Sequence, residues 1–319
     1  MTLTQTIRSA ALLAALSALT AAASAADYGS AERLILHGNL DEAIAQLDAM
    51  PATAAQKLLL CRAHYAAQHI DQAVAACDAA VAAHNSTVTV DWLGRAYGVQ
   101  ADHAGPFAGM KLASKVRSSF ETAVNLDPAY SPAVNDLTDF YVGAPSLVGG
   151  GTDKARALAQ RVAAALPESA HRTEALAAEK DHDYGTAERE FRSAVTVRND
   201  SGAWTDLAQY LGRRKQYDAS FDALRKAVAA AHNSGPSLVD SAEILIDQKR
   251  HLDLAEQWLR LYLNTPAGQT DEQPVAKVHV SLGKLLAKKG DANGARNEYN
   301  AALALVAHFE PAQKALNSL

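Results

Sequence analysis

The 319 residues carry 30 Lys and Arg against 35 Asp and Glu, a formal charge of −5, and only 6% are aromatic. A mildly acidic chain without basic runs is a poor nucleic-acid binder, because duplex affinity rests on clustered Lys and Arg at phosphates, so that class is set aside. Ala, Leu, Glu, Gln, Lys and Arg dominate outside short punctuating segments, which favours helix almost everywhere and leaves little strand-like alternation.

At the N-terminus Arg8 precedes the uncharged stretch SAALLAALSALTAAASAA (9 to 26), which ends in Ala23-Ser24-Ala25. This layout predicts a cleavable export signal over residues 1–25, a new terminus at Ala26 and a periplasmic or secreted protein. A retained anchor is the competing reading, but the strongly apolar part spans only residues 10 to 19. A bilayer-spanning helix needs roughly 20 residues. No later stretch is long and apolar enough to span a membrane, so residues 26–319 are expected to form a single domain without a membrane span.

HIDQAVAACDAAVAAH (69 to 84) places Ile70, Val74, Cys77 and Val81 on one helical face. STVTVDW (86 to 92) is the one β-branched run, and it passes directly into a helical pattern. Leu93-Gly94-x-x-Tyr97 is then followed by Phe120-x-x-Ala123-x-x-x-x-Pro128. Trp204, Leu207 and Ala208 repeat the first half of that pattern, and KQYDASFDALRKAVAA (215 to 230) again makes an apolar face, with Tyr217, Phe221, Leu224 and Val228. Ala295, Tyr299 and Ala302 repeat the second half, and EPAQKALNSL (310 to 319) reads as a closing helix.

These spacings resemble the tetratricopeptide repeat, a helix-turn-helix unit of 34 residues. Aligned on the small residue that opens each second helix, Ala43, Ala73, Val116, Ala155, Ala187, Ser220, Ala255 and Ala295 mark about eight repeats, at steps of 30 to 43 residues. The expected fold is therefore all-α, a right-handed α-solenoid of tetratricopeptide-like helix-turn-helix repeats. A single pair cannot bury its apolar stripe, whereas stacked pairs bury a continuous core. The resemblance implies a scaffold that binds a protein or peptide in the concave groove. On this alignment Arg62, Arg95, Asp139, Gln209 and Lys284 point into it, a set mixed in sign and without the run of cations that clamps a terminal carboxylate.

Relative to the unmodified repeat, about ten extra residues lie between Tyr97 and Val116 and about five between Tyr141 and Ala155. ADHAGPFAGM (101 to 110) and GAPSLVGGG (143 to 151) are accordingly expected as inner-turn loops lying side by side on one edge. Either they pack on each other, or Phe107, Leu147 and Val148 form an apolar contact for a partner.

No catalytic constellation is visible. Gly149-Gly150-Gly151 lacks the Lys-Ser/Thr of a P-loop and follows a helix rather than a strand. A small-ligand or anion site at this Gly-rich turn remains the alternative reading. There is no His-Glu-x-x-His, no Gly-x-Ser-x-Gly and no Cys/His cluster, so no enzyme activity, cofactor or metal is expected. His64 and His69, five apart, would diverge on a helix. Cys61 and Cys77 are expected to be free rather than bridged, because Ala73, not Cys77, is placed opposite Cys61.

Overall fold

A computed structural model describes residues 28–319; the expected signal segment and its cleavage site lie outside the described residues. Among the described residues the chain is helical without strands, and the helices pair antiparallel in chain order. The pairs are α1 (28–36) with α2 (Leu40–Asp48), α3 (Ala54–Ala66) with α4 (Ile70–Ala83), α5 (Thr87–Asp102) with α6 (Pro106–Leu126), and α7 (Ser131–Gly143) with α8 (Thr152–Val162). They continue as α9 (Pro167–Lys180) with α10 (Tyr184–Val197), α11 (Ser201–Arg213) with α12 (Tyr217–Ala230), α13 (Pro236–Gln248) with α14 (Leu252–Leu263), and α15 (Val275–Lys288) with α16 (Ala292–Leu305). The last helix, α17 (Glu310–Asn317), covers the end of the array as expected.

All eight aligned small residues, from Ala43 to Ala295, are buried in the second helices of their pairs. Most inner turns have a common form. One or two residues after the first helix the chain takes a left-handed conformation, at Gly38, Gln68, His182, Lys215, Lys249 and Gly290. There the last carbonyls are recaptured, as where Gly290 N–H donates to Ala287 O (3.0 Å) and Asp291 N–H to Leu286 O (2.9 Å). This Schellman closure turns the chain back in the fewest residues.

Repeats three and four lack it, and the two insertions differ. The segment 101–110 is not a loop: it lengthens both helices, to 16 residues in α5 and 21 in α6, around a turn at 103–105. The extra residues are helix-compatible, and Pro106 in the first turn of α6 costs no hydrogen bond there. The segment 144–151 is a turn with a single 3₁₀ turn at Ser146–Val148. It packs against α6 at Arg117, which lies under Gly149. Phe107 is ten residues nearer the tip of α6, about 15 Å along the helix, so the two insertions are not side by side.

The Cys61–Cys77 pair corrects the sequence expectation: the two are bridged, with Cα atoms 4.7 Å apart. The reason is visible in the other repeats. The small residue of the first helix faces the bulky residue one turn after the second helix's small position, not the small position itself. A Cβ on Gly94 would sit 2.5 Å from the Phe120 ring, and one on Gly283 would strike Tyr299 in the same way. In repeat two those two facing places hold Cys61 and Cys77.

The array curves until its ends meet. Gly38, closing α1, lies against Val275 and Leu305, and Asp41 Oδ2 accepts from Ala307 N–H (2.9 Å). Ala31, Ile35, Leu40, Ala43 and Leu47 therefore share one hydrophobic core with repeats five to eight. Repeats two to four build a second core around Trp92, Phe120 and Leu137.

Candidate functional site

The first helices of the pairs line the concave side, and their polar residues are tied from one helix to the next. Arg95 on α5 donates through Nε to Asp136 on α7 (2.5 Å), and its Nη2 lies 3.3 Å from Asp91. Arg172 on α9 bridges Asp139 on α7 and Asp206 on α11, each at 3.0 Å. Burial works against both guanidinium charges, yet the flanking carboxylates outweigh it and raise both pKa values above the ordinary range. Asp91, 1% exposed, is pushed up by burial and then by the neighbouring Asp136, so this pair holds on to a proton where free carboxylates have lost theirs.

The connector between α14 and α15, residues 264–274, reaches the opposite end of the array. Asp271 accepts from Arg62 Nε on α3 (2.6 Å), and the same guanidinium meets Glu32 on α1 (2.8 Å). His37 Nδ1 pairs with Gln269 Oε1 (3.0 Å), and Gln273 Nε2 donates to Asp240 on α13 (2.5 Å). Tyr262 anchors the connector's base, its hydroxyl donating to Gln273 O (2.7 Å).

Between this connector and the first helices of repeats two to five and seven lies a cavity of about 640 Å³. Tyr65 and Trp92 form an aromatic wall, with rings 5.3 Å apart and edge to face, and Arg95 lies over the Trp92 ring. Asp136, Asp139, Asp240, Asp271 and Glu272 provide five carboxylates against Arg95 and Arg172. Asp136, Asp139 and Asp271 are each held by an arginine, whereas Asp240 and Glu272 form no ion pair among the described residues. Burial raises the Asp240 pKa to about 6; the Gln273 hydrogen bond and the Lys277 charge hold it down, while Glu243 and Glu272 add to the rise.

Of the residues expected in the groove, Arg95 and Asp139 line this cavity, and Arg62 holds its connector. Gln209 lines a separate cleft between α11 and α13, and Lys284 is exposed outside both. Phe107 is 86% and Leu147 82% exposed, while Val148 is half-buried against the α6 side. His64 and His69 do converge, with Nδ1 atoms 3.3 Å apart, because α3 ends at Ala66 and the chain turns back before His69. Among the described residues no group of three or more His, Cys, Asp or Glu is arranged to hold a metal ion. Sequence reading missed Tyr65, Asp136, Arg172, Asp240 and the connector. The step of 40 residues between Ala255 and Ala295, six longer than a repeat, was the signal for the last.

This architecture defines an α-solenoid of tetratricopeptide-like repeats. The yeast Tom70 crystal structure is similar, with a TM-score of 0.53 at 13% identity over 88% of this chain and 57% of that one. The APC/C hetero-tetramer Cut9-Hcn1 also matches, with a TM-score of 0.42 at 13% identity over 91% of this chain and 54% of that one. The chain thus spans little more than half the length of each. No family model matches the sequence, and no curated protein does. No helix among the described residues is long and apolar enough to cross a membrane.

Proposed function

We propose that the protein is a non-enzymatic scaffold that takes a protein or peptide segment into the concave cavity. The observation that carries this reading is the unequal compensation of its carboxylates. Asp240 and Glu272 face the cavity outside any ion pair, with Lys277 acting on Asp240 only from a longer distance, beside an aromatic wall that can cover the stem of a long side chain. The chemistry fits a Lys- or Arg-bearing segment, with an ammonium or guanidinium completing two carboxylates that the array leaves open.

The pH dependence follows from the sign of the Asp240 shift. Burial raises its pKa to about 6, so the carboxyl gains its charge as pH rises through that value. Affinity for a fluorescent Lys-rich peptide should therefore increase between about pH 5 and 7.5, and Asp240→Asn should weaken binding about tenfold at pH 7.5 and flatten the profile. Fluorescence anisotropy reads both. An acidic peptide bound equally well, or an unchanged pH profile in the variant, would sink the reading.

We further propose that the scaffold works after export. Residues 9 to 26 support this, and the Cys61–Cys77 bridge suits an oxidising compartment. Protein recovered by osmotic shock should start at Ala26 or Asp27 and resist alkylation unless reduced. Reduction should lower its unfolding free energy by roughly 2–4 kcal/mol, since the bridge closes a loop between residues 16 apart. An intact Met1 in the cytosol, or labelling of both cysteines without reductant, would contradict it.

A further inference from the structure

The concave cavity lies between the two hydrophobic cores. Its aromatic wall, Tyr65 and Trp92, stands on the core of repeats two to four. Asp240 stands on the other, since its helix neighbours Leu238, Val239 and Ala242 belong to the core that repeat one shares with repeats five to eight. Glu272 is on the same side, because the connector runs on into α15, where Val275 and Ala276 enter that core. The two open carboxylates and the surface that would cover the stem of their cation are thus carried by different halves of the array.

Polar ties join the halves where they meet. Between α7 and α9, Thr138 and Thr173 are fully buried and share a hydroxyl hydrogen bond of 2.8 Å, and Ser131 pairs with Ser169 at 3.3 Å. Across the cavity, α3 packs on both cores: Cys61 belongs to one and Ala63 to the other, and Arg62 leaves the helix between them. Its guanidinium meets Glu32 of α1 at 2.8 Å and Asp271 of the connector at 2.6 Å, and it does not line the cavity. Asp271 directly precedes Glu272, and Gln273, which follows it, donates to Asp240. Glu272 is therefore suspended between a tie to α3 and a tie to α13.

We infer that Arg62 is a positioning residue for the concave site: through Asp271 it sets Glu272 and Asp240 against the wall of Tyr65 and Trp92, so that closure of the array and capture of a cationic segment favour each other. This rests on the reading of the cavity as a site for a Lys- or Arg-bearing segment. The coupling is reciprocal. A segment that touches the wall and the carboxylates together bridges the two halves, so it tightens the seam by the same factor by which a closed seam tightens its binding. The sign of the effect separates position from charge. As a cation beside an acidic site, Arg62 would repel the segment, and its removal would strengthen binding. As a positioning residue, its removal weakens binding.

Anisotropy with the fluorescent Lys-rich peptide at pH 7.5 should show about tenfold weaker binding to Arg62→Gln, with an unchanged circular dichroism spectrum. Arg62→Lys, which keeps the charge and a donor for Asp271, should stay within about threefold of the unaltered protein. Hydrogen exchange on the unaltered chain needs no variant to fold: saturating peptide should slow amide exchange at least about threefold both in the connector, residues 264–274, and in α1. Unchanged or tighter binding by a folded Arg62→Gln, or exchange in the connector and α1 that ignores bound peptide, would overturn the positioning role and leave the site standing. A peptide that fails to bind the unaltered protein at all would remove the site and the coupling together.

Discussion

Replacing Arg95 by methionine should lower the unfolding free energy at neutral pH by about 3–5 kcal/mol, the cost of removing one member of a buried ionic cluster. The methionine fills the stem's volume, so the loss reports charge rather than a cavity. It arises because Asp91 and Asp136, already pushed upward by burial, then face each other without the guanidinium that ties α5 to α7. The pH profile identifies the cause. Without Arg95 both carboxyls titrate higher in the folded chain than in the unfolded one, so the penalty fades as pH falls through the unfolded value of about 4 and is complete above the folded values. Adding Asp136→Asn should recover most of the loss, because Asp91 then faces no second carboxylate. Urea unfolding at pH 4.5 and 7.5 measures each term; an equal loss at both would assign it to packing instead.

Gly38→Ala should cost about 2–5 kcal/mol and open the array, while Gly290→Ala, at the equivalent turn of the last repeat, should cost only about 1–2 kcal/mol. Both glycines are left-handed, with φ of +79° and +89°, so both variants carry the strain of an L-residue there. The difference is what a Cβ meets: nothing within 4 Å at Gly290, and Val275 Cβ at 2.8 Å at Gly38. Val275 belongs to the eighth repeat and Gly38 to the first, so the clash falls on the seam that joins the two ends. Small-angle scattering should show a larger radius of gyration for Gly38→Ala at full helicity, and the Arg62–Asp271 pair, which spans the same ends, should be lost with it. Equal costs for the two variants would mean that the seam contributes nothing to the solution structure.

The helix pairs were legible because each has to bury the same stripe, and the small residue where two helices come closest recurs from Ala43 to Ala295 at about one repeat period. The facing of Cys61 by Cys77 was latent in the same pattern. Gly94 before Phe120 and Gly283 before Tyr299 show which position the bulky side chain fills, and only the packed helices reveal that the cysteines occupy those two places. Part of the arginine ladder could also be found by period. Asp139 to Arg172 and Arg172 to Asp206 are 33 and 34 residues apart, one repeat each, although sequence spacing alone cannot choose these pairs among many similar ones.

Sequence by itself thus determined the class of fold, the number of pairs, the closing helix and the places where the repeat is interrupted, since these follow from local periodicity and from the turn chemistry between helices. Tertiary structure alone decided how far the array curves, because curvature is the sum of small rotations at every interface and no single segment encodes it. That sum brings Gly38 to Val275 and Asp271 to Arg62, and so turns an open groove into a cavity with two unpaired carboxylates. It also decided the fate of the two insertions: helix propensity absorbed 101–110 into α5 and α6, while Gly149-Gly150-Gly151 kept the second as a turn, with Gly150 held against the Ala144 carbonyl where a side chain would not fit.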